Sequence, residues 1–87
     1  VILNNNGYRA SRLPVYGLFP DGVSVRRGDA AGTRFTRAPD YPALAAACHA
    51  YGERVEKTED LVPALRRALA AVDAGQAAVI ECVVEQD

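Results

Sequence analysis

The order of elements in this sequence predicts an α/β fold with a parallel, helix-flanked sheet. Two apolar runs, Val1–Leu3 and Ala77–Glu85, read as strands near the two ends of the chain. Between them lie two segments of helical periodicity. A strand, a loop, a helix, a short strand, a helix and a strand alternate in a way that demands crossover connections, which are right-handed in such sheets.

Val1-Ile2-Leu3 is uninterrupted and apolar, as a strand buried on both faces would be. It breaks abruptly into Asn4-Asn5-Asn6-Gly7-Tyr8. The next segment, Tyr8 to Leu13, has room for a turn or two of helix, which Pro14 is expected to end. From Val15 to Pro39 the chain is punctuated by Gly17, Pro20-Asp21-Gly22, Gly28-Asp29 and Gly32, and reads as a long loop. Val23-Ser24-Val25 alternates briefly within it, as a short ribbon would. Leu18, Phe19 and Phe35 require burial that this loop does not obviously supply.

Asp40 has the chemistry of an N-cap, and Pro42 suits a first helical turn. Tyr41, Leu44, Ala45, Cys48 and Tyr51 recur at helical spacing, and Gly52 reads as the stop. Arg54-Val55-Glu56 is a short extended link, expected at a sheet edge. A second helix starts at Thr58 or Asp60, with Glu59 and Asp60 at the positive end of its dipole and Pro63 favouring the later start. Leu61, Leu65, Ala68, Leu69 and Val72 form its predicted buried face, Arg66, Arg67 and Asp73 look outward, and Gly75 ends it. Ala77–Glu85 then reads as a central strand with Glu81 its only interior charge.

With 87 residues, 49% of them hydrophobic and 24% charged, the composition is that of one small globular domain. A chain of this size buries ~60–65% of its unfolded surface, enough for one modest core. No apolar run is long enough to span a bilayer. The start in mid-strand predicts a piece of a longer protein. Cys48 and Cys82 match no metal spacing and read as reduced core thiols, which points to the cytoplasm. Six arginines between Arg9 and Arg37 face only Asp21 and Asp29, whereas from Ala38 onward acids outnumber bases nine to four. The arginines are scattered through a loop without interleaved aromatics, so a solvated or inter-subunit surface is expected rather than nucleic-acid binding.

The amides carry whatever chemistry this sequence has. On spacing alone a plain turn is favoured, since Asn tolerates left-handed geometry and Gly7 can supply a positive φ. The chemical alternative is a hard-cation site, with the Asn5 amide oxygen and the Gly7 main-chain carbonyl as ligands to Mg²⁺ beside a phosphate. Elsewhere the candidates are thinner. His49 flanks a helix without a catalytic partner, Ser11 has no nucleophile-elbow context, and Arg9 and Arg12 suit an anion or an ion pair. Glu81 is expected to satisfy a polar contact at a domain boundary.

Val1-Ile2-Leu3-Asn4-Asn5-Asn6-Gly7-Tyr8 resembles the second half of the thiamine-diphosphate motif of acetolactate synthases, benzoylformate decarboxylases and pyruvate decarboxylases. Pro39-Asp40-Tyr41 with Leu44-Ala45 and Tyr51-Gly52, then Leu61 through Ala64-Leu65 to Leu69, then Val79-Ile80-Glu81 follow the same pattern. The likeness is to the C-terminal, diphosphate-binding domain of these enzymes, over nearly the whole chain except 15–37. It implies thiamine diphosphate and Mg²⁺ as cofactors, Asn5 and Gly7 as metal ligands, Asn4 shaping the strand end, and Tyr8 and Arg9 near the cofactor. It implies a parent enzyme acting on a 2-oxo acid, at least dimeric, with the remaining machinery on the rest of the polypeptide and on a second subunit. The fragment alone would be inactive. A flavin is not indicated by any residue.

The departures concern the substrate. The Gly-Asp-Gly half of the motif, expected ~30 residues upstream of the amides, lies outside the sequence. Pyruvate decarboxylases carry a catalytic glutamate where this chain has Ser11, and acetolactate synthases carry Gly-Met where it has Arg9-Ala10. The residues themselves also allow a small non-catalytic α/β module that pairs with another chain through its Arg-rich stretch.

Overall fold

The computed structural model describes residues 1–86. The elements in order are β1 (Ile2–Asn4), α1 (Arg9–Leu18), α2 (Val23–Arg27), α3 (Tyr41–Ala47), β2 (Tyr51–Val55), α4 (Leu61–Asp73) and β3 (Ala78–Val83), with a 3₁₀ turn, Thr58–Asp60, leading into α4. The chain divides into two compact units, one of residues 1–4 and 39–85, the other of residues 5–38 with Gln86.

The first unit holds the sheet. Its three strands run parallel in the order β1-β3-β2, with Ile2 and Arg54 both in register with Glu81. This is the expected parallel α/β arrangement, and β3 is central as its apolar run predicts. Strand alternation sends Ala78, Ile80 and Cys82 toward α4, where they meet Val55, Ala64, Ala68, Leu61 and Leu65. The opposite face carries Ile2 and Val79 toward α3. The core side chains are small, and Ala64 and Ala68 let α4 lie close on the sheet.

Local chemistry sets the helix ends. Asp40 caps α3 by accepting from the Ala43 amide at 3.0 Å, with Pro42 in the first turn. Gly75, at φ +89°, closes α4 through bonds from its own amide to Val72 and from Gln76 to Ala71.

Several expectations fail for tertiary reasons. β1 is an edge strand and Leu3 is 70% exposed, so the strand is not buried on both faces. Leu69 and Val72 are exposed too, because α4 buries a narrow alanine stripe rather than its whole apolar face. Helix α3 stops at Ala47 and Gly52 is not its terminator. His49 takes the left-handed position (φ 59°), and the Ala50 amide returns to the Ala45 carbonyl. Tyr51 and Gly52 therefore open β2, which is longer than the predicted link but does lie at the edge. Gly52 is needed there because a Cβ would stand 2.7 Å from the Pro42 carbonyl oxygen. Cys48 is exposed at the end of α3 and Cys82 is half-buried, so both are free thiols but Cys48 is no core residue.

The second unit contains two helices where a long irregular loop was expected. α1 runs through Pro14 instead of ending before it. The missing amide would have bonded the carbonyl of Ala10, an exposed residue that water can serve, so the loss is tolerable. The turn-forming clusters bracket α2: Gly22 precedes it in extended geometry and Gly28, at φ 66°, closes it. Arg12 is buried in this unit, whereas Leu18 and Phe19 remain exposed.

Candidate functional site

The amides after β1 fold into a tight turn. Asn5 Oδ1 accepts the Gly7 amide at 3.2 Å, and Asn6 rather than Gly7 carries the positive φ, 61°. Asn tolerates the left-handed region, so the turn leaves glycine free of that duty. An isolated antiparallel bridge between Gly7 and Arg34 fastens the turn, with Tyr8 N–H donating to Thr33 O at 2.7 Å and Phe35 N–H to Asn6 O at 3.0 Å. Asn6 Nδ2 adds a bond to the Phe35 carbonyl, and the Tyr8 ring meets Phe35 edge-on at 4.9 Å.

These bonds use the carbonyls of Asn6 and Tyr8. Among the described residues no backbone amide donates to the Gly7 carbonyl. Asn5 Oδ1 keeps a second lone pair beyond the one given to Gly7. α1 begins immediately after Tyr8, without a side-chain cap, and its first two amides, Arg9 and Ala10, precede the first intrahelical bonds to Tyr8 O. Two neutral hard oxygens on a three-residue turn, beside a helix N-terminus, are the donor types that suit a hard cation and an anionic phosphate. The set lacks an acid: no cluster of three His, Cys, Asp or Glu side chains occurs among the described residues. Tyr8 and Arg9 are exposed beside the turn.

Asn4 belongs to the sheet unit. Its Nδ2 donates to Glu81 Oε1 at 2.7 Å. Glu81 is 1% exposed, and its Oε2 takes Arg54 Nε at 2.8 Å. Arg54 lies within 3.6 Å of the Asp40 carboxylate as well. Glu81 thus joins the two flanking strands inside this unit rather than serving a domain boundary. Its signal in the sequence was its isolation as the only charge in an apolar strand, and that signal does not name partners.

A second polar group sits on the other sheet face. Glu53 takes bonds from Arg67 and from the Tyr51 hydroxyl, the latter at 2.6 Å. The Arg67 guanidinium, and after it the Tyr51 hydroxyl, hold the Glu53 carboxyl below its ordinary range. The same bond to Glu53, with burial, raises the Tyr51 phenol. This group ties α4 to β2. Ser11 and His49 are exposed, and His49 serves the end of α3.

A known family accounts for this combination of fold and turn. The family model "Thiamine pyrophosphate enzyme, C-terminal TPP binding domain" matches residues 1–82. The chain belongs to that family. Thiamine pyrophosphate, the diphosphate ester of thiamine, is the cofactor of the family, and the three-stranded parallel sheet is consistent with its α/β fold. No curated protein matches the chain. Among the described residues no helix is long and apolar enough to cross a membrane.

Proposed function

We propose that this chain is the diphosphate- and Mg²⁺-binding part of a longer, cytoplasmic enzyme of the acetolactate synthase or 2-oxo acid decarboxylase kind. The observation that carries the reading is the Asn5–Gly7 turn, whose bonding leaves the Gly7 carbonyl and a lone pair of the Asn5 amide oxygen available beside the start of α1. Asn5 Oδ1 and the Gly7 carbonyl hold the cation. The open amides of Arg9 and Ala10, at the positive end of the α1 dipole, stabilise the diphosphate charge. Tyr8 and Arg9 flank the cofactor, and Asn4 shapes the end of β1. The cofactor, when bound, supplies the carbon–carbon chemistry on a 2-oxo acid, while the protein contributes position and charge neutralisation. The acidic metal ligand and the group that activates the aminopyrimidine come from the rest of the polypeptide and from a second subunit.

The test is titration of thiamine diphosphate with Mg²⁺ into the full-length protein, wild type against Asn5→Ala. Loss of one ligand oxygen should weaken Mg²⁺-dependent binding by about ten- to a hundredfold. Binding that is absent in the wild type, or untouched by Asn5→Ala, refutes the assignment.

A further inference from the structure

The amide turn after β1 is fastened from outside by a short strap, residues 30–35, and turn and strap lie in the same compact unit. The strap starts at Ala30, which is 5% exposed. The Ala30 carbonyl accepts both the Thr33 amide, at 3.1 Å, and the Thr33 hydroxyl, at 2.6 Å. Gly32, at φ +78°, is third in that four-residue turn, where a type II turn needs a left-handed residue. The turn delivers Thr33 and Phe35 to either side of Gly7. Tyr8 N–H donates to the Thr33 carbonyl and Phe35 N–H to the Asn6 carbonyl, with Gly7 and Arg34 directly opposite one another.

That pattern decides where Gly7 points. When the flanking residues make the bonds of an antiparallel bridge, the two opposed residues turn their own N–H and C=O groups away from each other. An extended residue directs both groups to the same side. The Gly7 amide goes to Asn5 Oδ1 at 3.2 Å, so the Gly7 carbonyl is directed to the Asn5 side as well. The bridge thus gathers the two hard oxygens on one side of the turn while bonding to neither.

We infer that residues 30–35 are a positioning element for cation binding, with Gly32 the residue on which it depends. The turn at Gly32 sets the bridge, and the bridge sets the direction of the Gly7 carbonyl. Gly32 holds no ligand itself and acts through Thr33 and Tyr8. This inference rests on the Mg²⁺ and thiamine-diphosphate reading of the site. Cation choice reports on it: Mg²⁺ demands near-ideal octahedral geometry at short distances, whereas Ca²⁺ accepts irregular oxygen sets at longer ones. A misdirected carbonyl therefore costs Mg²⁺ more than Ca²⁺, and a general loosening of the fold costs both alike.

Three substitutions separate these effects. Gly32→Val places a β-branched residue at positive φ with nothing within 4 Å of the added Cβ, so its effect is conformational. Gly32→Asn keeps the left-handed region accessible. Gly28→Val sets the same strain at φ +66° at the end of α2, in the same unit but outside the strap.

The experiment titrates Mg²⁺ and Ca²⁺ calorimetrically into the full-length protein with excess thiamine diphosphate and measures unfolding midpoints alongside. Gly32→Val should bind Mg²⁺ about tenfold more weakly, the strain of one left-handed branched residue, and Ca²⁺ within about threefold of wild type. Gly32→Asn should stay within about threefold for both ions. Gly28→Val should lower the midpoint and leave the ratio of the two affinities unchanged. An unchanged ratio in Gly32→Val, or an equal shift in Gly28→Val, overturns the inference. If Gly32→Val does not fold, Thr33→Val, which loses the hydroxyl bond to Ala30, carries the same test with an expected ratio change of about threefold, and no change there overturns the inference equally. If Asn5→Ala loses Mg²⁺-dependent binding while the strap variants keep the wild-type ratio, only this inference fails; if the wild type binds no thiamine diphosphate, both it and the cofactor reading fail.

Discussion

Replacing Gly52 by alanine tests how closely α3 lies on the sheet. The new Cβ would stand 2.7 Å from the carbonyl oxygen of Pro42, 2.8 Å from its Cα and 3.0 Å from the Ala45 Cβ. The first two contacts are to backbone atoms and the third to a side chain with no rotamer to change. Relief therefore requires the start of α3 to move away from β2, which loosens the seat of the buried Ala45. Overpacking of this kind costs about 1–3 kcal/mol. Against it stands the lower chain entropy of an unfolded alanine, worth about 0.4–1 kcal/mol. The net expectation is a loss of about 1–2 kcal/mol, which for a domain of this size lowers the unfolding midpoint by roughly 5–15 °C. Thermal unfolding followed by circular dichroism measures it. Gly17→Ala is the control: it lies inside α1, with nothing within 4 Å of the added methyl, and should stabilise by about 1 kcal/mol through helix propensity alone. A Gly52→Ala protein that melts at or above the wild-type temperature would refute the close-approach argument.

Three other outcomes follow from the same geometry. Asp40→Ala removes the cap on the Ala43 amide and the contact to Arg54, and should cost about 1 kcal/mol in the urea midpoint; Asp40→Asn, which keeps a capping oxygen, should recover most of it. Because Arg67 and Tyr51 lower the folded pKa of Glu53, its contribution is fully present above the ordinary carboxylate range and disappears as pH falls through the depressed value. A pH series of denaturation midpoints should show that acid-side loss in the wild type and a shallower one in Glu53→Gln; identical slopes would count against the pair. Arg67→Ala should raise the Glu53 pKa toward its ordinary range, the Tyr51 hydroxyl still acting to lower it, read by NMR of the carboxyl carbon.

Signals that act within a few residues were legible. Asp40 caps the helix that follows it, Gly75 ends α4, and the apolar run of β3 marks a central strand. Each depends on an amide, a φ angle or a side chain that its own neighbours constrain. The strand–helix alternation fixed the parallel topology for the same reason, since only crossovers connect such strands. The amide turn was half legible. That Asn5 and Gly7 could share an ion follows from residue type, but that Asn6 would take the left-handed position, freeing Gly7 of it, follows from the bridge to Arg34.

Burial and partnership were decided elsewhere. Leu3, Leu69, Val72 and Cys48 read as core because periodicity reports a face without reporting whether anything covers it. Pro14 and the glycines around α2 read as loop punctuation in the sequence, although proline in a solvated turn and glycine at a helix boundary serve helices equally well. Gly52 looked like a stop and is a contact surface, a distinction set by where α3 lands. The sequence by itself determined the order of strands and helices in the sheet unit and the residue types of the amide turn. Only the tertiary structure decided that Glu81 would meet Asn4 and Arg54, because strand register brings together residues that the chain keeps far apart.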